Sequence, residues 1–178
     1  MKGGGGRMDD RMLQFVNLLT GRKLEHFCCE AEILDFSFGA LVLHAMGCTR
    51  VIKDNDILVT TIDYQSWDQE ESTNNDEWFN MGKFHSEIVG GSVVSVWTGP
   101  WNDLHIRMDN GVMIECLIAN AYPHYGEELE QWVLFEHTGD GSGTFLTVYN
   151  KSVDFREGSL RSGKQDAHDP LPPGGGER

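Results

Sequence analysis

Three side chains in this sequence come closest to a metal-binding site: His105, Glu115 and His124. His105 and Glu115 fall on two predicted strands that face each other across a hairpin, and imidazole and carboxylate groups are ordinary zinc ligands. However, none of the spacings typical of a zinc site, such as HExxH, HxH or CxxC, occurs. Since surface and half-buried histidines are commoner than ligating ones, we expect no metal ion, no cofactor and no catalytic residue.

Other candidate motifs are equally weak. The sequence GDGSG at 139–143 resembles a phosphate-binding loop in composition only, because it lies between two predicted strands and no helix follows it. A hairpin turn is the simpler interpretation. The four cysteines, at positions 28, 29, 48 and 116, form no metal-binding spacing and are expected to be small buried apolar groups.

The charge is strongly negative and unevenly distributed. The chain of 178 residues has a net charge of -14, and residues 54–150 contain seventeen acids against two bases, Lys83 and Arg107. Such a chain repels phosphate backbones, which argues against a nucleic-acid partner. No apolar run approaches the roughly 18 residues that span a bilayer, and the N-terminal residues lack the apolar stretch of a secretory signal. We therefore expect no membrane interaction and a cytoplasmic location.

Two acidic segments also carry aromatic residues. Residues 63–77 hold six acids and residues 122–136 hold four, and neither segment contains a base. Solubility is the simplest explanation. A docking face for a basic protein is the alternative, because it also accounts for the tryptophans and tyrosines, which would anchor a partner that the acids attract. The partner-binding residues expected on this hypothesis are Trp67, Asp68, Glu70, Glu71, Asp76, Glu77, Trp101, Tyr122, Tyr125, Glu127, Glu128 and Glu130.

Trp97 and Trp101 bracket a Gly-Pro turn. Two arrangements are open: either the pair covers an edge of the core, which we favour, or it lies exposed as a binding platform.

The pattern of apolar residues predicts an α+β fold, mainly an antiparallel β-sheet with an N-terminal helix and a second short helix. Asp9 or Asp10 is expected to cap the first helix, which would run through Thr20. Asn110-Gly111 predicts a type I′ hairpin turn. We expect one domain over residues 8–155, a disordered glycine-rich start at 1–7 and a disordered tail at 156–178.

The two halves of this domain resemble each other, with repeat units at about 8–63 and 76–150. Matching residues lie about 69 to 71 positions apart, namely Gly21 with Gly90, Leu24 with Val93, Leu34 with Leu104 and Phe36 with Ile106. This spacing suits a duplicated helix–strand–hairpin unit. The competing explanation is chance, since any two β-meanders share alternation. A true duplication predicts units that bury their apolar faces together or share one sheet.

Three stretches, LTGRKLEHF, WNDLHIRMDNGVMIEC and EQWVLF, resemble β-rich immunity proteins of bacterial polymorphic-toxin and contact-dependent-inhibition systems. The resemblance covers roughly residues 12–150 and carries no catalytic residue. It implies an acidic protein that binds and blocks one cognate toxin, for example a basic nuclease. Two alternatives are a small-ligand binder or enzyme with a cleft between the repeat units, and an accessory structural module.

Overall fold

The computed structural model describes residues 6–30, 33–61, 76–119 and 128–158, with the side chains of Glu30 and residues 76–81 left out. No described helix combines the length and the hydrophobicity that crossing a membrane requires. The described residues form two helices and eleven strands: α1 (Asp10–Asn17), β1 (His26–Glu30), β2 (Ile33–Phe38), β3 (Leu41–Ala45), β4 (Cys48–Lys53), β5 (Asp56–Thr60), α2 (Asp76–Ile88), β6 (Val93–Thr98), β7 (Leu104–Met108), β8 (Val112–Leu117), β9 (Glu130–Glu136), β10 (Phe145–Tyr149) and β11 (Val153–Arg156).

Helix α1 begins where the sequence predicts. The carboxylate of Asp9 caps it by accepting hydrogen bonds from the backbone amides of Arg11 and Met12, both at 3.0 Å. The helix ends at Asn17, three residues before the predicted end, because the chain continues as turns towards Gly21. Its buried residues, Phe15 and Val16, hold it against the core.

The predicted α+β architecture is confirmed. The strands form two antiparallel sheets, one in the order β1-β2-β3-β9-β10-β11 and the other in the order β5-β4-β8-β7-β6. Alternate residues of both sheets are buried and belong to one apolar core, which α1 and α2 also contact. Helix α2 lies against β1 and β5, and α1 lies against β6, so each helix sits beside outermost strands. The inward side chains thus hold the two sheets together, as in a β-sandwich.

The same order of elements occurs twice: α1 followed by β1 to β5, then α2 followed by β6 to β10. Within each copy, the first three strands are neighbours in one sheet, but the next two strands cross to the other sheet. There β4 pairs with β8, and β9 pairs with β3. Each sheet therefore combines three strands of one copy with two of the other, and β11 extends only the six-stranded sheet.

Two segments, 21–24 and 90–93, join the copies through a reciprocal set of backbone hydrogen bonds. The first residue of each segment donates to the last residue of the other, both at 2.8 Å. The last residue of each donates to the second residue of the other, at 2.9 and 2.8 Å. The third residues, Lys23 and Ser92, form an isolated antiparallel bridge. This exchange relates the copies by an approximate two-fold axis, and it uses the residues that the sequence alignment matched.

The prediction of a type I′ turn at Asn110-Gly111 is wrong. Of these two residues, Gly111 has a positive φ, of 83°, and Asn110 does not. The hairpin between β7 and β8 closes with a three-residue loop, residues 109–111. The Asn110 side chain instead donates to the last two backbone carbonyls of α2, at 3.1 and 3.3 Å. Positive φ at two successive residues occurs between β4 and β5, at Asp54 (52°) and Asn55 (70°).

We predict matched effects for the substitutions Gly21→Ala and Gly90→Ala. Both glycines have positive φ, of 81° and 93°, and no atom within 4 Å of an added Cβ, so the cost is backbone strain alone. Each variant should lose about 1 kcal/mol of unfolding free energy in urea denaturation. Gly139→Ala is the control, because that glycine also has open space but no positive φ. An equal loss in Gly139→Ala would contradict the explanation.

Candidate functional site

The two copies differ mainly in the connections that follow their strands. Three connections of the second sheet are much longer than their counterparts in the other copy, and they include the segments richest in acids and aromatics. The longer connections are 61–75 after β5, 99–103 after β6 and 118–129 after β8, and their counterparts are 150–152, 31–32 and 46–47.

These three connections leave the same end of the five-stranded sheet. In the order β5-β4-β8-β7-β6 every pair is antiparallel, so β5, β8 and β6 run in the same direction and end at the same edge. We call this edge the strand-exit end and define it by Thr61, residues 98–103, residues 118–119 and residues 128–131. One further connection, 137–144 after β9, is longer than its counterpart 54–55 and lies away from this end, because β9 begins at the strand-exit end. Several insertions on the same face of a repeated scaffold are typical of a binding face.

A buried tryptophan fixes the loop that carries the exposed Trp101. Trp132 is fully buried on β9, and its indole Nε1 donates to the backbone carbonyl of Asn102 at 3.0 Å. Asn102 has a φ of 68°, and its side-chain amide donates to the carbonyl of Gly6. These bonds tie the loop to β9 and to the N-terminal segment, so the neighbouring Trp101 projects from a supported backbone.

Two further hydrogen bonds hold the start of the connection after β8. The Asp103 carboxylate accepts from the amide of Ile118 at 2.7 Å, and the side-chain oxygen of Gln131 accepts from the amide of Ala119 at 3.2 Å. Gln131 is buried, so this bond satisfies a polar group that burial would otherwise penalise. Hydrogen bonds therefore hold the backbone of the strand-exit end at Asn102, Ile118 and Ala119.

Both tryptophans of the Gly-Pro turn are exposed, which contradicts the favoured interpretation that they cover the core. Trp101 is 74% exposed and Trp97 is 44% exposed. The Trp97 ring stacks on His105 at 5.1 Å with an interplanar angle of 9°. Trp97 lies on the exposed face of β6, and Trp101 lies in the turn that follows this strand. Large exposed rings on a fixed backbone suit a binding surface.

Carboxylates also surround Tyr149, the last residue of β10, which pairs with Glu130 at the beginning of β9. Glu128 and Glu130 are exposed, and the Tyr149 hydroxyl donates to Glu130 at 3.5 Å. Burial, together with the negative charges of Glu130, Asp154 and Glu128, raises the pKa of Tyr149. Sequence reasoning missed Tyr149, because its neighbourhood to these acids depends on the pairing of β9 with β10.

The structure describes only part of the predicted partner-binding set. Trp101, Glu128 and Glu130 lie at the strand-exit end and are exposed. Asp76 and Glu77 begin α2, and nothing is described of their side chains. The remaining predicted residues lie outside the described ranges: Trp67, Asp68, Glu70, Glu71, Tyr122, Tyr125 and Glu127.

The described carboxylates do not gather on one surface, contrary to the expectation of a single acidic face. Asp54, Asp56, Glu87 and Asp109 are exposed at the opposite end of the five-stranded sheet, where the turns between strands lie. Lys53 partly compensates this group through an ion pair with Glu87 at 3.3 Å. Among the described residues, the strand-exit end is distinguished by the combination of two exposed carboxylates, Glu128 and Glu130, with the exposed indole of Trp101.

The expected proximity of His105 and Glu115 is present, but the carboxylate already has a cationic partner. Arg50 donates to Glu115 through both Nε, at 3.0 Å, and a terminal nitrogen. The Nδ1 atom of His105 lies 3.4 Å from Glu115 but makes no hydrogen bond. His124 lies outside the described residues. Across the described ranges, no three histidine, cysteine or acidic side chains are grouped to hold a metal ion.

A second imidazole–carboxylate pair occupies the equivalent position in the first copy. His44 Nε2 lies 2.9 Å from the Asp35 carboxylate, and the His44 ring packs edge-on against Phe135 at 4.8 Å. As with the other pair, the two residues face each other between the second and third strands of the copy. Both pairs lie on outer sheet faces and link neighbouring strands.

A cleft of about 240 Å³ lies between the N-terminal segment and the loop after β6. It is lined by Arg7, Met8, Leu13, Thr98, Gly99, Pro100 and Asn102. Among the lining residues that the structure describes, Arg7 is the only ionisable one. The cleft therefore lacks the converging histidines and acids that the alternative of an enzyme predicts.

The cysteines fall into two pairs by burial: Cys29 and Cys116 are buried, and Cys28 and Cys48 are half-buried. Cys48 and Cys116 are free thiols. Burial raises the pKa of Cys116 from 9.0 to about 12, so the thiol stays protonated and unreactive in the folded chain.

We predict that this burial makes stability fall at high pH. Because the folded pKa of Cys116 exceeds the unfolded value, its stabilising effect is complete below pH 9 and is lost as the pH rises towards 12. Relative to a Cys116→Ala variant, the wild type should lose about 2 kcal/mol of unfolding free energy between pH 8 and pH 10.5. Urea denaturation at the two pH values measures this. Ile57→Ala, which is exposed and changes no ionisable group, serves as the control and should show the same loss as the wild type.

Comparison of the chain with protein-family models, with curated proteins and with solved structures found no match.

Proposed function

We propose that this chain binds a basic protein through the strand-exit end of its five-stranded sheet. The observation that carries the proposal is the asymmetry between the two copies. A scaffold with approximate two-fold symmetry bears three long connections at one end, and one of them presents an indole that is 74% exposed. Trp101 does not belong to the apolar core, so its position is not explained by packing of the fold.

The chemistry of the surface favours a cationic partner. Glu128 and Glu130 are exposed at this end, and the connections that leave it carry the predicted acids and aromatics of residues 63–77 and 122–127. Carboxylates accelerate the encounter with a basic protein, and exposed rings supply most of the affinity once water is excluded. The net charge of -14 adds a long-range attraction.

The finer form of this proposal is an immunity protein that neutralises a cognate toxin, in keeping with the resemblance in the sequence. A basic nuclease suits an acidic inhibitor, because the inhibitor's carboxylates can occupy the site where phosphates bind. We place this function in the cytoplasm, where thiols such as those of Cys48 and Cys116 would remain reduced. A small-ligand function is less favoured because Arg7 is the only ionisable group in the described cleft.

We predict that the variant Trp101→Ala/Glu128→Lys/Glu130→Lys no longer retains the partner. Loss of the indole should weaken binding about 30-fold, and the two charge reversals should slow association further and reduce its dependence on salt. The measurement is an affinity capture from the native host, followed by association kinetics with the captured basic protein at 50 and 300 mM salt. Capture of the same basic protein by the triple variant would refute the proposal.

The matched control is Glu25→Lys/Asp56→Lys, which changes the net charge by the same amount. Both residues are exposed and lie away from the strand-exit end, near the starts of β1 and β5. The control should capture the partner and associate only slightly more slowly, because long-range attraction changes while the contact surface does not. Equal losses in the two variants would show that net charge alone is responsible.

A further inference from the structure

We infer that the two halves of this chain are specific binding partners for each other, and that a second copy of the chain can supply either half. Each half presents an incomplete sheet whose missing strands are carried by the other half. The partner that fits this interaction surface is therefore a hairpin of the same chain, whether from the same molecule or from another one.

The exchanged hairpins contribute both backbone pairing and core residues. Strand β4 pairs with β8 over six residue pairs, and β9 pairs with β3 over five. Val51 on β4 and Val59 on β5 are completely buried. They come from the first half, but their strands join the sheet formed by β6, β7 and β8 of the second half. On β9, Trp132 and Leu134 are completely buried in the same way.

Neither half is complete alone. Without the other half, β3 and β8 would each expose an unpaired strand edge. The apolar side chains on the inner face of each sheet would also become exposed to solvent. The helices also depend on this association, since α2 lies against β1 and α1 lies against β6. Segments 21–24 and 90–93 occupy equivalent places in the two halves and donate hydrogen bonds to each other. Equivalent segments meet in the same way at the interface of a two-fold dimer.

Residues 61–75 join the halves covalently, and the pairing of β3 with β9 and of β8 with β4 does not involve them. A covalent connection raises the effective concentration of one half near the other but adds no contact to these pairings. The halves should therefore remain together when the connection is cut. Exchange between molecules should follow when the protein is unfolded and refolded.

The test uses the full chain with a protease recognition sequence inserted after Ser72. After cleavage of the folded protein, we expect both fragments to co-elute on size exclusion at micromolar concentration. A mixture of ordinary and 15N-labelled cleaved protein, unfolded in urea and refolded, should give four complexes by native mass spectrometry, two of them mixed. Separation of the fragments without denaturant, or failure to form mixed complexes, would overturn the inference. Co-expression of the two pieces as separate chains tests the same point if cleavage is incomplete.

A matched pair of substitutions on the donated hairpin separates interface loss from general damage. In the cleaved protein, Val51→Ala should weaken the association of the fragments at least about tenfold, because it removes buried volume across the exchanged pairing. Ile57→Ala, on the same hairpin but 55% exposed, should leave the association unchanged. Equal association of the Val51→Ala and Ile57→Ala fragments would contradict the inference. The result does not depend on the strand-exit end, so it stands apart from the proposed function.

Discussion

The structure depends on one constraint: neither half has a strand of its own to pair with the free edge of its third strand. Strand β3 finds its partner in β9 and β8 finds its partner in β4, so each sheet closes only with a hairpin from the other half. Buried amides and carbonyls need hydrogen-bond partners, and this requirement fixes which strands must meet. The single core follows, because strands of both halves contribute its inward side chains.

This symmetric scaffold supports an asymmetric surface. The backbone exchange between segments 21–24 and 90–93 is nearly identical in both directions, whereas the connections beyond β5, β6 and β8 have much longer sequences than their counterparts. Trp132 links the two features: it fills the core and also holds the carbonyl of Asn102, beside the exposed Trp101. The core can thus support the loop that carries Trp101.

Local patterns predicted local structure well, and tertiary contacts explain where they failed. The Asp9 cap followed from its side-chain chemistry and needed no distant partner. Asn110-Gly111 marked the right hairpin but the wrong turn, because the Asn110 amide is used to end α2. The exposure of Trp97 and Trp101 was also misjudged, since the covered face of β6 depends on how the two sheets pack together.

The sequence by itself determined the α+β class, the positions of the hairpins and the repeated pattern of apolar residues, because alternation and turn chemistry act over a few residues. Only the tertiary structure decided that the copies exchange hairpins and that β5, β6 and β8 end together, because strand order depends on pairing between distant residues. For the same reason it was the fold that placed Glu128 and Glu130 at the strand-exit end and Asp54 and Glu87 at the opposite one.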